Sequence, residues 1–175
     1  VCAGIALLIG GAVWWSRTRD PIPTDPDEVV LLQDPIPTDP DEVVLFSVDG
    51  TQLCKGSEER LYPNGTEFLY KAAVLGKVAI TDPTMRREVL DAVRADIRAR
   101  NVTQWKCFCP RHVLRLVKGE TVVDVVICYE CHNYEMHQNG VRLTGLTPAI
   151  GDDSRPLLNR ILTGAGVPLA PDSLP

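Results

Sequence analysis

Residues 1–15 are apolar without a charged side chain, end in Trp14-Trp15, and are followed by Ser16-Arg-Thr-Arg19. A helix of that length reaches about 22 Å, against the ~30 Å of a bilayer's hydrocarbon core. Tryptophan suits the headgroup layer and arginine snorkels to water. Residues 1–16 are therefore expected to be a transmembrane helix whose first turns precede this sequence. A signal peptide has an apolar run of similar length, but Trp14 and Trp15 stand where a small-residue cleavage site belongs.

A direct repeat follows. Asp20-Pro-Ile-Pro-Thr-Asp-Pro-Asp-Glu-Val-Val-Leu31 recurs unchanged from Asp34 to Leu45. Three prolines per copy forbid helix and favour extended chain, so residues 17–42 are expected to be a Pro/Asp-rich linker, or stalk. Residues 43–48 then open a β-rich run that Asp49-Gly50 closes, a dipeptide that signals a hairpin turn. Residues 68–80 form a second extended segment, interrupted by Gly76. Asp82-Pro83 carries the start signal of a helix, with Asp82 as cap and Pro83 in first position. Met85, Val89, Leu90, Val93 and Ile97 recur at helical spacing, leaving Arg86, Arg87, Glu88, Asp91, Arg94 and Arg98 to face water.

Two β-branched runs, residues 113–117 and 121–127, flank Lys118-Gly-Glu120. A two-residue turn at Gly119-Glu120 sets Arg115 opposite Asp124 and His112 opposite Ile127. Continued outward, that register brings Cys109 near Glu130 and Cys107 near His132. A smaller hairpin is expected around Asn139-Gly140, with His137 on its surface. A last helix is expected from about Ser154 to Gly164, packed through Leu157, Leu158, Ile161 and Leu162. The fold class is α+β: a small antiparallel sheet of hairpins with two helices over residues 43–168, preceded by the membrane helix and stalk and followed by a flexible tail, 169–175.

Composition narrows the function only a little. A net charge of -5 and the lack of a basic stripe with interleaved aromatics argue against a nucleic-acid partner. The sequence contains no Gly-rich phosphate loop, Ser-His-Asp set or His-Glu-x-x-His helix. Candidate chemistry is confined to Cys107-Phe-Cys-Pro-Arg-His112 and Cys128-Tyr-Glu-Cys-His132. Cys107 or Cys109 with His112, Cys128 and Cys131 has the donor set of a structural zinc site. In an exported domain the same cysteines are expected to oxidise to disulfides. Cys128-x-x-Cys131 also fits a thiol-redox pair, although no helix follows it. Cys128, Cys131 and His132 match the attachment pattern of haem c, for which Met136 or His137 are the nearest second ligands. Arg111 beside His112 reads as a solvated turn that could meet an anion.

The segment from Cys107 to His112, with Val123-Asp-Val-Val-Ile-Cys-Tyr-Glu-Cys131, resembles an uncharacterised bacterial family of membrane-anchored or exported proteins. Its shared pattern is Cys-Phe-x-Pro-Arg-His, a hydrophobic strand, then Cys-Phe/Tyr-x-Cys. The resemblance covers residues 43–168 and implies a small α+β domain without an established activity. It places Cys107, His112, Cys128 and Cys131 in the shared set, and leaves Cys109 and His132 outside it. Together these readings lead to a non-enzymatic, single-pass membrane protein. Its partner would be membrane lipid through the N-terminal helix, and its extracytoplasmic domain would be held by a zinc or disulfide knot at Cys107, His112, Cys128 and Cys131. The alternative is a thiol-redox or haem c electron-transfer protein using Cys128, Cys131 and His132.

Overall fold

Every β-rich run joins one antiparallel sheet of seven strands in the order β2-β3-β1-β4-β5-β6-β7. The strands are β1 (Glu42–Asp49), β2 (Phe68–Leu69), β3 (Ala72–Ala79), β4 (His112–Lys118), β5 (Thr121–Cys128), β6 (Asn133–Gln138) and β7 (Val141–Arg142), with helices α1 (Pro83–Ile97) and α2 (Arg155–Gly164). The computed structural model describes residues 35–53, 62–143 and 148–171. The expected transmembrane helix and the first copy of the repeat lie outside them. No helix among the described residues is long and apolar enough to cross a membrane.

The β4–β5 hairpin has the register that its turn requires: His112 pairs with Ile127, Arg115 with Asp124 and Lys118 with Thr121. Asn139 and Gly140, both at positive φ, make the turn from β6 to β7. Asp49-Gly50 does not make a hairpin. β1 runs between β3 and β4, and the Gly50 N–H donates to Pro110 O at 3.0 Å. A Cβ on Gly50 would sit 2.5 Å from Pro110 Cδ, so the glycine serves a close approach of two backbones. The extended segment expected over 68–80 is divided by a tight turn at Tyr70-Lys71, whose φ values are 50° and 68°. That conformation is unusual without glycine, and it is held from outside by the Tyr70 hydroxyl, which donates to Asp124 Oδ2 at 2.6 Å.

Alternation along the strands gives the sheet two apolar faces. One carries Val43, Leu45, Leu114, Leu116, Val123, Val125, Ile127 and Met136, and packs on Val89, Leu90 and Val93 of α1 and Leu157, Leu158 and Leu162 of α2. Burying each such side chain contributes about 2 kcal/mol. The other face gathers Phe46, Val48, Ala72, Val113 and Val126 into a second cluster. On that face Arg115 makes a two-pronged ion pair with Asp124, Nε and Nη2 each 2.8 Å from a carboxylate oxygen. Burial, and then Asp124, push the Tyr70 phenol above its usual range. His137, expected on the surface, is buried here and stacks on the Tyr70 ring at 4.0 Å, because the sheet curls until the β2–β3 turn meets β6.

Part of the expected linker packs on the folded domain. Ile36, in the second repeat, is only 3% exposed and belongs to the main core. Proline has no N–H to give, so this segment is held through its carbonyls: Arg94 Nη2 donates to Ile36 O at 3.2 Å and Pro37 O at 2.8 Å, and Arg86 Nη1 to Asp41 O at 3.1 Å. Arg86 and Arg94, expected to face water, have this work instead. The Asp41 carboxylate accepts from the Gly119 N–H at 2.8 Å and from Lys118 Nζ at 2.9 Å, tying the repeat to the β4–β5 turn.

Asp82 caps α1, accepting from the Met85 N–H at 2.7 Å. Ser154 makes no side-chain cap for α2. The buried Asp96 of α1 does so instead, accepting from the Ser154 N–H at 2.9 Å, the Ser154 hydroxyl and the Asp153 N–H at 3.2 Å. One carboxylate thus joins the two helices. Asp96→Ala leaves buried donors unpaired and is expected to cost about 3 kcal/mol in urea unfolding. Ile36→Ala is expected to cost a similar amount, about 3 kcal/mol, through the cavity it opens. A change below about 0.5 kcal/mol in the Ile36 variant would contradict the packing of this segment on the core.

Candidate functional site

The β4–β5 register carries both cysteine-bearing segments to one end of the sheet. The ladder extends one step past β4, the Arg111 N–H donating to Ile127 O at 3.0 Å. Beyond that point the two segments part. Residues 129–132 form a tight turn in which the His132 N–H donates to Tyr129 O at 3.2 Å and His132 takes a φ of 51°. The turn folds Cys131 back to Cys107, and the two form a disulfide with Cα atoms 5.8 Å apart. Extrapolating a straight ladder therefore places the residues one position out: Cys107 meets Cys131, not His132. Asn133 fixes the Cys107 segment from below, its Nδ2 donating to Trp105 O and Cys107 O, each at 2.7 Å.

Cys109, left outside the family pattern, sits in the same cluster. It is 2% exposed and disulfide-bonded. Cys128 is a free, buried thiol. Its sulfur accepts from the Cys109 N–H at 3.3 Å. Burial pushes its pKa up, although backbone N–H groups of Cys109 and Cys131 oppose the shift. The signal for Cys109 was available in the sequence: a second cysteine one residue from Cys107, in a segment headed for a buried sulfur cluster.

His112 does not join the sulfurs. It points under α2, where its Nε2 lies 2.8 Å from Asn159 Oδ1, and its ring meets Tyr129 edge-on at 5.4 Å between centroids. An amide oxygen can only accept, so Nε2 carries the proton and Nδ1 the lone pair. Burial lowers the His112 pKa to about 4, with the charges of Arg155 and Arg111 acting the same way against a bond to Asn159 that raises it. The imidazole is neutral at neutral pH.

This arrangement does not present Cys107, His112, Cys128 and Cys131 as a ligand set. Two of the sulfurs are bonded to each other, and His112 is engaged elsewhere. Among the described residues no group of three or more His, Cys, Asp or Glu side chains is placed to hold a metal ion. Thioether attachment of haem needs both thiols of Cys128-x-x-Cys131, and Cys131 is spent in the disulfide. His132 lies with Nδ1 3.3 Å from Ile150 O. Met136 is buried in the main core, and His137 is on the opposite face of the sheet, 3.2 Å from Glu135.

Arg111, expected in a solvated turn, is 6% exposed. Its Nη1 lies 3.8 Å from Asp49 Oδ1 and its Nη2 3.5 Å from Glu130 Oε2, while Arg155 approaches Glu130 from α2 at 3.8 Å. Ser47, Arg111, His112, Glu130, Arg155 and Asn159 line a cavity of about 40 Å³. The pattern of apolar positions gave no sign of it, because its polar residues come from β1, the start of β4, the turn after β5 and α2.

The chain matches no protein-family model, no curated protein and no solved structure.

The pH dependence of stability follows from His112. Its folded pKa lies below its unfolded value of about 6.5, so the unfolded chain binds the extra proton between the two. Its contribution is complete above about pH 6.5 and is lost as pH falls towards 4. Urea titrations are expected to show about 2 kcal/mol lost through this group between pH 7 and pH 4.5. His112→Gln is expected to lack that share of the slope, and equal slopes in both proteins would contradict the assignment.

Proposed function

We propose that this chain is a non-enzymatic, single-pass membrane protein that displays a disulfide-stapled α+β domain outside the cytoplasm. The observation that carries this reading is the Cys107–Cys131 disulfide, which joins the two segments at the open end of the hairpin. Such bonds persist in oxidising compartments and are rare in the cytosol. The apolar run of residues 1–15 with its arginine flank supplies the tether. Disulfide rather than zinc is favoured because the Cys107 and Cys131 sulfurs are already bonded to each other, and a zinc site needs them as separate thiolates. The resemblance to exported bacterial proteins agrees with this placement.

A redox role has one observation in its favour, the thiol of Cys128 packed among Cys107, Cys109 and Cys131. Attack by its thiolate on Cys131 would form Cys128–Cys131 and release Cys107 as a thiolate, with no outside oxidant. Two features oppose that role: Cys128 is fully buried, and its pKa is raised, so it is neither accessible to a partner nor readily ionised. Cys128 is read as a core residue.

Alkylation of free thiols in intact cells, followed by peptide mapping, tests the reading. Cys107 and Cys131 are expected to be recovered linked, with Cys128 labelled only after denaturation. Stoichiometric zinc with both cysteines reduced would contradict it. Replacing Cys107 and Cys131 together by serine opens a 24-residue separation. The cost expected from loop closure is about 3 kcal/mol.

A further inference from the structure

The cavity under α2 contains more unspent hydrogen-bonding capacity than a structural pocket needs. Ser47 Oγ, Arg111 Nε and Nη1, and His112 Nδ1 are buried and make no hydrogen bond within the protein. Their residues are 1%, 6% and 3% exposed, and all three line the same space of about 40 Å³. Ser47 and His112 are direct partners across β1 and β4, so their side chains leave the same face of the sheet. Leu169 and Ala170, from the segment after α2, complete the wall.

The pattern of these groups is specific. The guanidinium nitrogens can only donate, the hydroxyl can donate, and the neutral imidazole accepts at Nδ1 because Nε2 is committed to Asn159. Several donors facing one acceptor complement an oxygen-rich anion that still carries one hydrogen. Charge agrees with this: Arg111 and Arg155 raise the positive potential at His112, while Asp49 and Glu130 keep the region near balance, which suits a single negative charge. A space of this size holds about three water molecules. A compact oxyanion of about four or five heavy atoms is of the size of such a water cluster.

We propose that this cavity binds a small protonated oxyanion of single negative charge, of which hydrogencarbonate and dihydrogenphosphate are the two sources, through Ser47, Arg111 and His112. The hydrogen of the ligand meets His112 Nδ1, and its charged oxygens meet Arg111 and the Ser47 hydroxyl. The site is separate from the sulfur cluster and does not depend on the oxidation state assigned there.

The test is a titration of the full-length chain in detergent micelles, labelled with ¹⁵N, at about pH 7.5, against sodium hydrogencarbonate, sodium phosphate, sodium formate and sodium chloride at equal ionic strength. The His112 Nδ1 resonance is expected to move saturably with hydrogencarbonate or phosphate as its lone pair accepts a hydrogen bond. The tighter of the two identifies the source. Formate has no such hydrogen and is expected to bind at least tenfold more weakly. Ser47→Ala is expected to weaken binding about tenfold, the effect of one hydrogen bond to a charged ligand. No saturable shift with either protonated oxyanion, or an equal response to formate or chloride, would overturn the proposal and leave the cavity to water. The comparison of the four salts on the unaltered chain decides the matter even where the variant does not fold.

Discussion

The pairing of β4 with β5 is the constraint on which the rest of the molecule depends. Seven consecutive pairs, from His112 with Ile127 to Lys118 with Thr121, fix which side chains face the helices and which face the second cluster. A slip of one residue would exchange the two faces and bury the wrong set. The same register brings the chain on either side of the hairpin to one end, where the tight turn at residues 129–132 closes Cys131 onto Cys107. β1 extends the order outward: its Ser47 pairs with His112, which places a hydroxyl beside the imidazole.

Polar groups in this domain are buried where they join elements that hydrophobic packing alone would leave loosely oriented. Asp96 holds the start of α2 to α1. Arg115 and Asp124 hold adjacent strands, and Tyr70 brings the β2–β3 turn onto them. Arg94 and Arg86 hold a proline-rich segment that has few N–H groups of its own. The Arg111 group differs in kind. Its ion pairs with Asp49 and Glu130 are long, and two of its nitrogens make no hydrogen bond, so it holds neighbouring elements less tightly than the others do.

Much of this architecture was legible in the sequence. Alternation and a two-residue turn gave the register of β4 and β5. Asp82-Pro83 gave the start of α1, and Asn139-Gly140 the last hairpin, because these signals act within a few residues of themselves. What escaped was decided by distant partners. Asp49-Gly50 has the composition of a hairpin turn, but Pro110 occupies the space beside Gly50. The second repeat looks like a spacer until Ile36 is seen under Arg94. The cysteine segments were expected to meet and do so. Which sulfur bonds which depends on a local turn at His132, a residue whose positive φ nothing in its neighbours announces. The cavity was hidden for the same reason, since its lining is contributed by four separate stretches of chain.

The ¹³Cβ chemical shifts of the cysteines, read together with cross-strand contacts in one NMR data set on the unreduced protein, test the account most directly. It expects Cys107 and Cys131 in the oxidised range, Cys128 in the reduced range, and close contacts between the strands in the register that pairs Val113 with Val126. Cys128 and Cys131 both oxidised with Cys107 reduced, or strand contacts displaced by one residue, would contradict it.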